Sequence, residues 1–224
     1  MSGKLYNCVI IGGGPSGARA AYELSKTTKN IALIDYRESL GDKLCTGIIG
    51  IECVEKYGID KNVIFSEGSS ADITNPEKKT FHLESKNPKA YIIDRVKYIQ
   101  NIIQKAKDNN TEILYKSRVI DFDFTKNHVK ITYKSDGIKK EILSKSIILA
   151  SGLENKLINK LNINSIKNEN ILNGSQLKMP TNNSSLIKNT KVFLGSKFGF
   201  QGFGWIVPTK ENEILIGVLT KDKS

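Results

Sequence analysis

Near the amino terminus, Gly12-Gly13-Gly14-Pro15-Ser16-Gly17 has the residue types and spacing to hold a phosphate, and it follows directly on the apolar run Asn7–Ile11. Gly12 permits a tight turn, Gly14 lets a pyrophosphate approach the backbone, and Gly17 lets the next helix pack closely on the sheet. The amides and the positive end of that helix then face the phosphates. A second apolar run, Ile31–Ile34, ends at Asp35. That is about 18 positions past Gly17, where a carboxylate accepts hydrogen bonds from an adenosine ribose. Cys45 is the candidate reactive thiol, although a neutral Cys needs a cationic neighbour or a helix terminus to become reactive. Late in the chain, Phe203 and Trp205 alternate within a glycine-rich stretch, and Gly202 and Gly204 leave room for a ligand beside them. His82 and His128 are the only histidines and have no ligand-type neighbours in sequence, which argues against a zinc site or a Ser-His-Asp triad.

The elements that must position these groups form a strand–turn–helix–strand unit. Ala18, Ala20, Ala21 and Leu24 give a helix with a small-residue face. Asp42 to Ile51 is loop by composition. Ala71 to Ile93 alternates strand-like runs with turns. Asp94 caps a helix whose apolar positions Val96, Ile99, Ile102, Ile103 and Ala106 recur at three and four. Glu112 to Lys145 is expected to be a β-meander, with turns at Thr125–His128 and Ser135–Gly137. Ser146 to Ala150 is a buried-type strand. Glu154 to Asn189 is polar, with a short helix expected at Lys156–Leu161, and strands resume at Val192–Leu194, Trp205–Val207 and Ile214–Leu219. Cys8 is expected in the core, and Cys53 is expected to pack on a helix.

Composition sets the outer bounds. The 224 residues carry 34 basic against 23 acidic side chains, a formal charge of +11, with 39% hydrophobic residues. This is globular composition with room for a sizeable core. Only four basic residues are Arg (Arg19, Arg37, Arg95, Arg118), and the lysines are spread along the chain. Nucleic-acid recognition favours clustered Arg and Lys, so the charge is expected on a solvated surface. No apolar run approaches the ~20 residues of a membrane helix. Three cysteines make no disulfide framework. A reduced, cytoplasmic protein is expected, with attraction to an anionic membrane surface left open.

A simple nicotinamide domain would repeat βα units after Asp35; this chain instead inserts a glycine loop, strands, a helix and a meander. That order resembles the glutathione-reductase-type FAD fold in its para-hydroxybenzoate-hydroxylase-like branch, and most of all the geranylgeranyl reductase family. The matching residues are Lys43-Leu44-Cys45-Thr46-Gly47, Arg95 at a helix start, Val119 in the meander, Ala150-Ser151-Gly152, and Phe203-Gly204-Trp205-Ile206-Val207-Pro208 followed by Gly217. Phe203 and Val207 stand where the family has Tyr and Phe. The resemblance implies an α/β fold with an FAD-binding Rossmann-like domain and β-meander, plus part of an antiparallel-sheet substrate domain. It divides the chain into an FAD domain at 1–70 and 94–160 and substrate-domain strands at 71–93 and 161–224.

As site residues the resemblance implies cofactor contacts at Gly12, Gly14, Pro15, Ser16, Gly17, Asp35, Tyr36, Arg37, Cys45, Thr46, Gly47, Arg95, Val119, Ala150 and Gly152. It implies substrate contacts at Phe200, Phe203, Trp205 and Pro208, with Cys45 as the catalytic candidate. The implied activity is FAD-dependent reduction of carbon–carbon double bonds in an isoprenoid or lipid, with an unidentified electron donor. A flavin monooxygenase or halogenase of the same fold, or a flavin-binding remnant without turnover, are the alternatives. Ser151-Gly152 replaces the Asp-Gly pair of the hydroxylases. No Gly-Asp element follows Pro208, so the resemblance implies a chain that stops short of the family's return segment.

Overall fold

The computed structural model describes residues 4–42, 45–153, 155–161, 171–181, 189–210 and 212–221. The chain forms two compact units: Met1–Asp42 with Val96–Ile166, and Lys43–Arg95 with Lys167–Ser224. These divisions fall at 42/43, 95/96 and 166/167, whereas the sequence reading divides the chain at 70/71, 93/94 and 160/161. Residues 48–68 fall in the second unit because their strands pair with Ala90–Ile93.

In the first unit, β1 (Leu5–Tyr6) leads into β2 (Cys8–Ile11), α1 (Pro15–Ser25) and β3 (Ile31–Ile34). All eight residues of β2 and β3 are buried, as expected for a parallel strand covered on both faces. The side chains alternate between two cores. Cys8, Ile10, Ile31 and Leu33 meet Ala18 and Ala21 of α1 and Ile99 and Ile103 of the later helix. Val9, Ile11, Ala32 and Ile34 meet Phe122, Val129 and Ile131 of the meander. Each fully buried aliphatic side chain contributes about 1.5–3 kcal/mol. The later helix, Arg95–Asp108, buries Ile99, Ile102, Ile103 and Ala106 of the stripe read from the sequence, whereas Val96, expected in the same stripe, is exposed in the first turn.

The meander is three strands, Ser117–Phe124, Val129–Ser135 and Ile138–Ser144, and β1 pairs parallel with the last of them. Asp136 and Gly137 both have positive φ, the signature of the tight hairpin turn expected there. Glu112–Leu114 departs from the expectation: it leaves the meander and pairs parallel with β3. The parallel sheet therefore runs Ile147–Leu149, β2, β3, Glu112–Leu114. The short helix covers Asn155–Asn159 rather than Lys156–Leu161.

The second unit has a three-stranded sheet (Ile48–Gly50, Ala90–Ile93, Ile64–Gly68) and a six-stranded sheet. The six run in the order Asn173–Pro180, Glu213–Thr220, Phe203–Pro208, Thr190–Leu194, Ser70–Thr74, Thr80–Glu84. Ile51–Tyr57 forms a helix with no buried residue. Cys53 lies on it and is exposed, so the expected packing of Cys53 is corrected. Cys8 is buried, as expected.

Candidate functional site

The glycine turn is held from three sides. The Gly12 amide donates to the Ile34 carbonyl at 2.9 Å, and the Ala150 amide donates to the Ile11 carbonyl at 2.8 Å. Gly12 has φ +108°, and a Cβ there would meet the Ala150 carbonyl carbon at 2.7 Å. At Gly17 a Cβ would run into the Gly12 carbonyl group. Both glycines are thus fixed by packing. Gly14 is different, because a Cβ there meets nothing within 4 Å. It precedes Pro15 at the start of α1, where no side chain caps the helix, so the first-turn amides have no side-chain cap. Ser151 Oγ, next to the turn, is buried without a hydrogen-bond partner among the described residues. An open cradle, uncapped amides and an orphaned hydroxyl fit a pyrophosphate.

Asp35 is buried at the end of β3. Its Oδ2 accepts from the Gly13 amide at 2.6 Å, and Arg37 donates to both carboxylate oxygens. Burial pushes its pKa up, but Arg37 and the amides of Gly13 and Arg37 outweigh that and hold the carboxyl below its usual value. Tyr36 is half exposed, and the Arg118 guanidinium lies 4.2 Å from its ring centroid. Val119 is buried beside Arg118, at a register irregularity of the meander. Gly152 has φ +73° just beyond Ser151.

In the second unit, a cavity of about 540 Å³ lies on one face of the six-stranded sheet. Cys45, Thr46, Ile48, Gln176, Val192, Phe203, Trp205, Val207 and Leu219 are among its wall residues. Trp205 and Val207 are buried there against Ile92, with Phe65 and Leu215 packed around them. Gly217 sits opposite Trp205, and a Cβ there would strike the indole, 2.5 Å from Cε2. The late glycine of the sequence motif is therefore the space the tryptophan occupies. Gly47 has φ +74°, and its amide donates to the Cys45 sulfur at 3.4 Å. Cys45 is exposed.

The structure thus gathers Gly12–Gly17, Asp35–Arg37, Ala150 and Gly152 at the strand ends of one unit. It brings Cys45, Thr46, Phe203 and Trp205 to the cavity of the other. Phe200 is 45% exposed in the turn before Phe203 and is not among the wall residues. Pro208 is also outside the wall, because strand alternation from Trp205 and Val207 sends it to the opposite face. Arg95 is the first residue of its helix. Lys43 and Leu44 lie outside the described residues. Gly13 and Gln176 were missed. Gly13 shows no spacing signal of its own, yet a Cβ there would meet Leu40 Cδ2 at 2.5 Å. Gln176 sits in a polar stretch with no strand signature.

A digeranylgeranylglycerophospholipid reductase of Methanosphaerula palustris is 23% identical over 219 residues, covering 95% of this chain and 55% of that protein. A digeranylgeranylglycerophospholipid reductase of Methanosphaera stadtmanae is 25% identical, covering 94% and 53%. The chain spans about half the length of these relatives. A geranylgeranyl bacteriochlorophyll reductase-like protein from Thermoplasma acidophilum superposes with a TM-score of 0.84 at 21% identity, over 97% of this chain and 57% of that one. A flavin-dependent brominase superposes with a TM-score of 0.69 at 19% identity, over 97% and 56%. Both share the fold. The family model described as Pyridine nucleotide-disulphide oxidoreductase matches residues 6–185, a span that takes in the glycine turn, Asp35 and the Ala150 closure. With four-fifths of its length inside that match, the chain belongs to the pyridine nucleotide-disulphide oxidoreductase family.

Proposed function

We propose that this chain carries the nucleotide cradle and the lipid cavity of an FAD-dependent reductase acting on carbon–carbon double bonds of an isoprenoid or similar lipid. The observation that carries the reading is the apolar cavity walled by Phe203, Trp205, Val207 and Leu219, with Cys45 and Thr46 at the same wall, in a chain that also holds a dinucleotide cradle. The names of the relatives support the same chemistry. When bound, FAD supplies the hydride for one alkene carbon. The chain's own residues bind, orient and exclude water. Gly14 and the first turn of α1 take the pyrophosphate, and Asp35 with Arg37 stands at the ribose position. The cavity wall desolvates and aligns an apolar chain. Cys45 presents an exposed thiol at the same wall, and either it or water is the proton source for the second alkene carbon. Peripheral attachment to an anionic membrane, driven by the lysine excess, belongs to the same proposal.

The test is retention of nucleotide through gel filtration, followed by turnover. The chain is expected to keep FAD and release NADH; the reverse result overturns the reading. After dithionite reduction, loss of the double bond in a prenylated lipid without oxygen uptake supports a reductase. Substrate-dependent oxygen uptake instead marks a monooxygenase or halogenase.

A further inference from the structure

The cavity of the second unit has a continuation. Its wall residues Ile48 and Thr190 also line a second groove of about 440 Å³ in the same unit, so the two spaces adjoin. Strand register carries the same sheet face outward. Thr190 lies opposite Ala71 and Ala71 opposite Leu83, while Val192 lies opposite Ile73 and Ile73 opposite Phe81. Directly opposite residues share a face of a sheet, so the face that bears Thr190 and Val192 runs on to the edge strand Thr80–Glu84. Ala71 and Leu83 line the second groove.

At that edge the apolar surface comes into the open. Phe81 is 46% exposed and Leu83 is 53% exposed. Leu83, Glu84 and Lys89 are exposed members of the groove wall, so the groove opens along the edge strand. Lysines stand at both ends of the strand, with Lys78 and Lys79 before it and Lys86 and Lys89 after it, all exposed. Lys79 Nζ lies 5.1 Å from the Phe81 ring centroid. Residues 75–89 hold four lysines against two glutamates, Glu77 and Glu84.

An apolar pair between cationic ends matches an anionic lipid surface, which takes up the Phe and Leu side chains and sets its phosphates against the lysines. A second copy of the chain fits less well. Pairing two such edges, in either direction, would bring lysines against lysines at both ends, and edge lysines are a device that blunts strand pairing. A bilayer lying against Phe81 and Leu83 also meets the mouth of a groove that adjoins the cavity of Trp205.

We propose that the edge strand Thr80–Glu84 docks on an anionic bilayer through Phe81, Leu83 and the flanking lysines, and that an isoprenoid chain passes from the bilayer along the Leu83–Ala71–Thr190 groove into the cavity. This rests on the lipid-cavity reading above and gives the membrane attachment a place.

Trp205 lines the cavity and is the chain's only tryptophan, so its emission reports a ligand there without cofactor or turnover. Geraniol added without vesicles tests the cavity. It is expected to shift the emission; no shift overturns the lipid-cavity reading, and this proposal with it. Co-sedimentation with vesicles of phosphatidylcholine and phosphatidylglycerol tests the surface. Binding is expected to fall about tenfold when phosphatidylglycerol is omitted or the salt is raised to about 1 M. A fall of about tenfold is also expected in the double variant Phe81→Ser, Leu83→Ser. Both side chains are exposed, so this variant should keep its urea midpoint and its geraniol shift. Phe124→Ser, at a 62% exposed position of the other unit, should bind vesicles as the unaltered chain does. Suppose geraniol shifts the emission but the unaltered chain ignores vesicles, the double variant binds within about twofold of it, or Phe124→Ser loses as much. Any of these overturns the docking surface while the cavity reading stands. A vesicle-free dimer that the double variant dissociates also overturns it, in favour of a second copy. Ala71→Phe narrows the groove between Leu83 and Thr190. With vesicles carrying farnesol it should slow the emission shift about tenfold and leave vesicle binding unchanged; an undiminished rate overturns the route.

Discussion

Arg37 holds the Asp35 carboxylate like a fork, with Nε on Oδ1 at 2.9 Å and Nη2 on Oδ2 at 2.8 Å. The Arg37 amide adds a bond to Oδ1 at 2.9 Å, and the Gly13 amide adds one to Oδ2 at 2.6 Å. Each oxygen therefore already has two donors. A ribose arriving at this carboxylate must share it with the guanidinium or turn the guanidinium aside.

Arg37→Met removes the fork and leaves a buried carboxylate with its two backbone donors. The expected loss of stability is about 1–3 kcal/mol at pH 7, measured by urea unfolding. The pH dependence has a defined sign. Asp35 is held below its usual pKa, so its stabilisation is complete above the unfolded value of about 3.9 and fades as pH falls through the folded value. The gap between wild type and variant should therefore close below about pH 4. A gap that stays constant down to pH 2 would show that the ion pair is not its source.

Gly14 and Gly17 should separate ligand binding from folding. Gly14→Val places its side chain in the open cradle, at ordinary dihedrals of φ −72° and ψ −174°. The protein is expected to keep its urea midpoint and lose FAD. Gly17→Val forces the helix off the turn and should cost stability whether or not nucleotide is present. If Gly14→Val retains FAD with undiminished affinity, the pyrophosphate does not lie where the turn opens.

Gly217→Ala tests the space under the indole. The new methyl would meet Trp205 Cε2 at 2.5 Å and the Ser175 carbonyl oxygen at 2.8 Å. Overpacking of this kind costs about 1–3 kcal/mol, and the emission maximum of the single tryptophan should move as the ring is displaced. An unchanged spectrum with unchanged stability would contradict the packing.

Thiol counting checks the cysteine assignments. Cys45 and Cys53 are exposed, whereas Cys8 is buried and its thiol is pushed up in pKa by that burial. Maleimide should label two thiols in the native chain and a third only after unfolding. Mass analysis of a peptide containing Cys8 from native-labelled protein gives the decisive reading.

The strand–turn–helix–strand unit was legible because its signals are local: buried apolar runs, glycines with distinct packing tasks, and an acid at a fixed distance. The stripe on Arg95–Asp108 was legible for the same reason, since its period of three and four lies within one element. Glu112–Leu114 was misplaced because three residues carry no mark of their partner; β3 claims them across a long sequence gap. Asn173–Pro180 went unseen because Asn-Gly-Ser-Gln-Leu-Lys-Met-Pro is mostly exposed and has no alternation for a buried face to impose. The helix Ile51–Tyr57 buries nothing, so no periodic apolar face announced it. Gln176 needed the register with Gly217 before its place on the cavity wall had meaning.

The contact between Gly12 and Ala150 has a consequence for how the protein is made. The turn at Gly12 leaves the ribosome well before Ala150, the backbone it leans on, which directly follows the strand Ile147–Leu149 more than half of these 224 residues later. Synthesis at roughly 5–20 residues per second leaves β2 without its Ile147–Leu149 neighbour for many seconds. Through that interval a fully apolar strand has an unpaired edge, and parallel pairing across such distances is slow. A nascent chain halted before residue 146 should therefore engage chaperones through Val9–Ile11, and release from them should coincide with the emergence of Ala150.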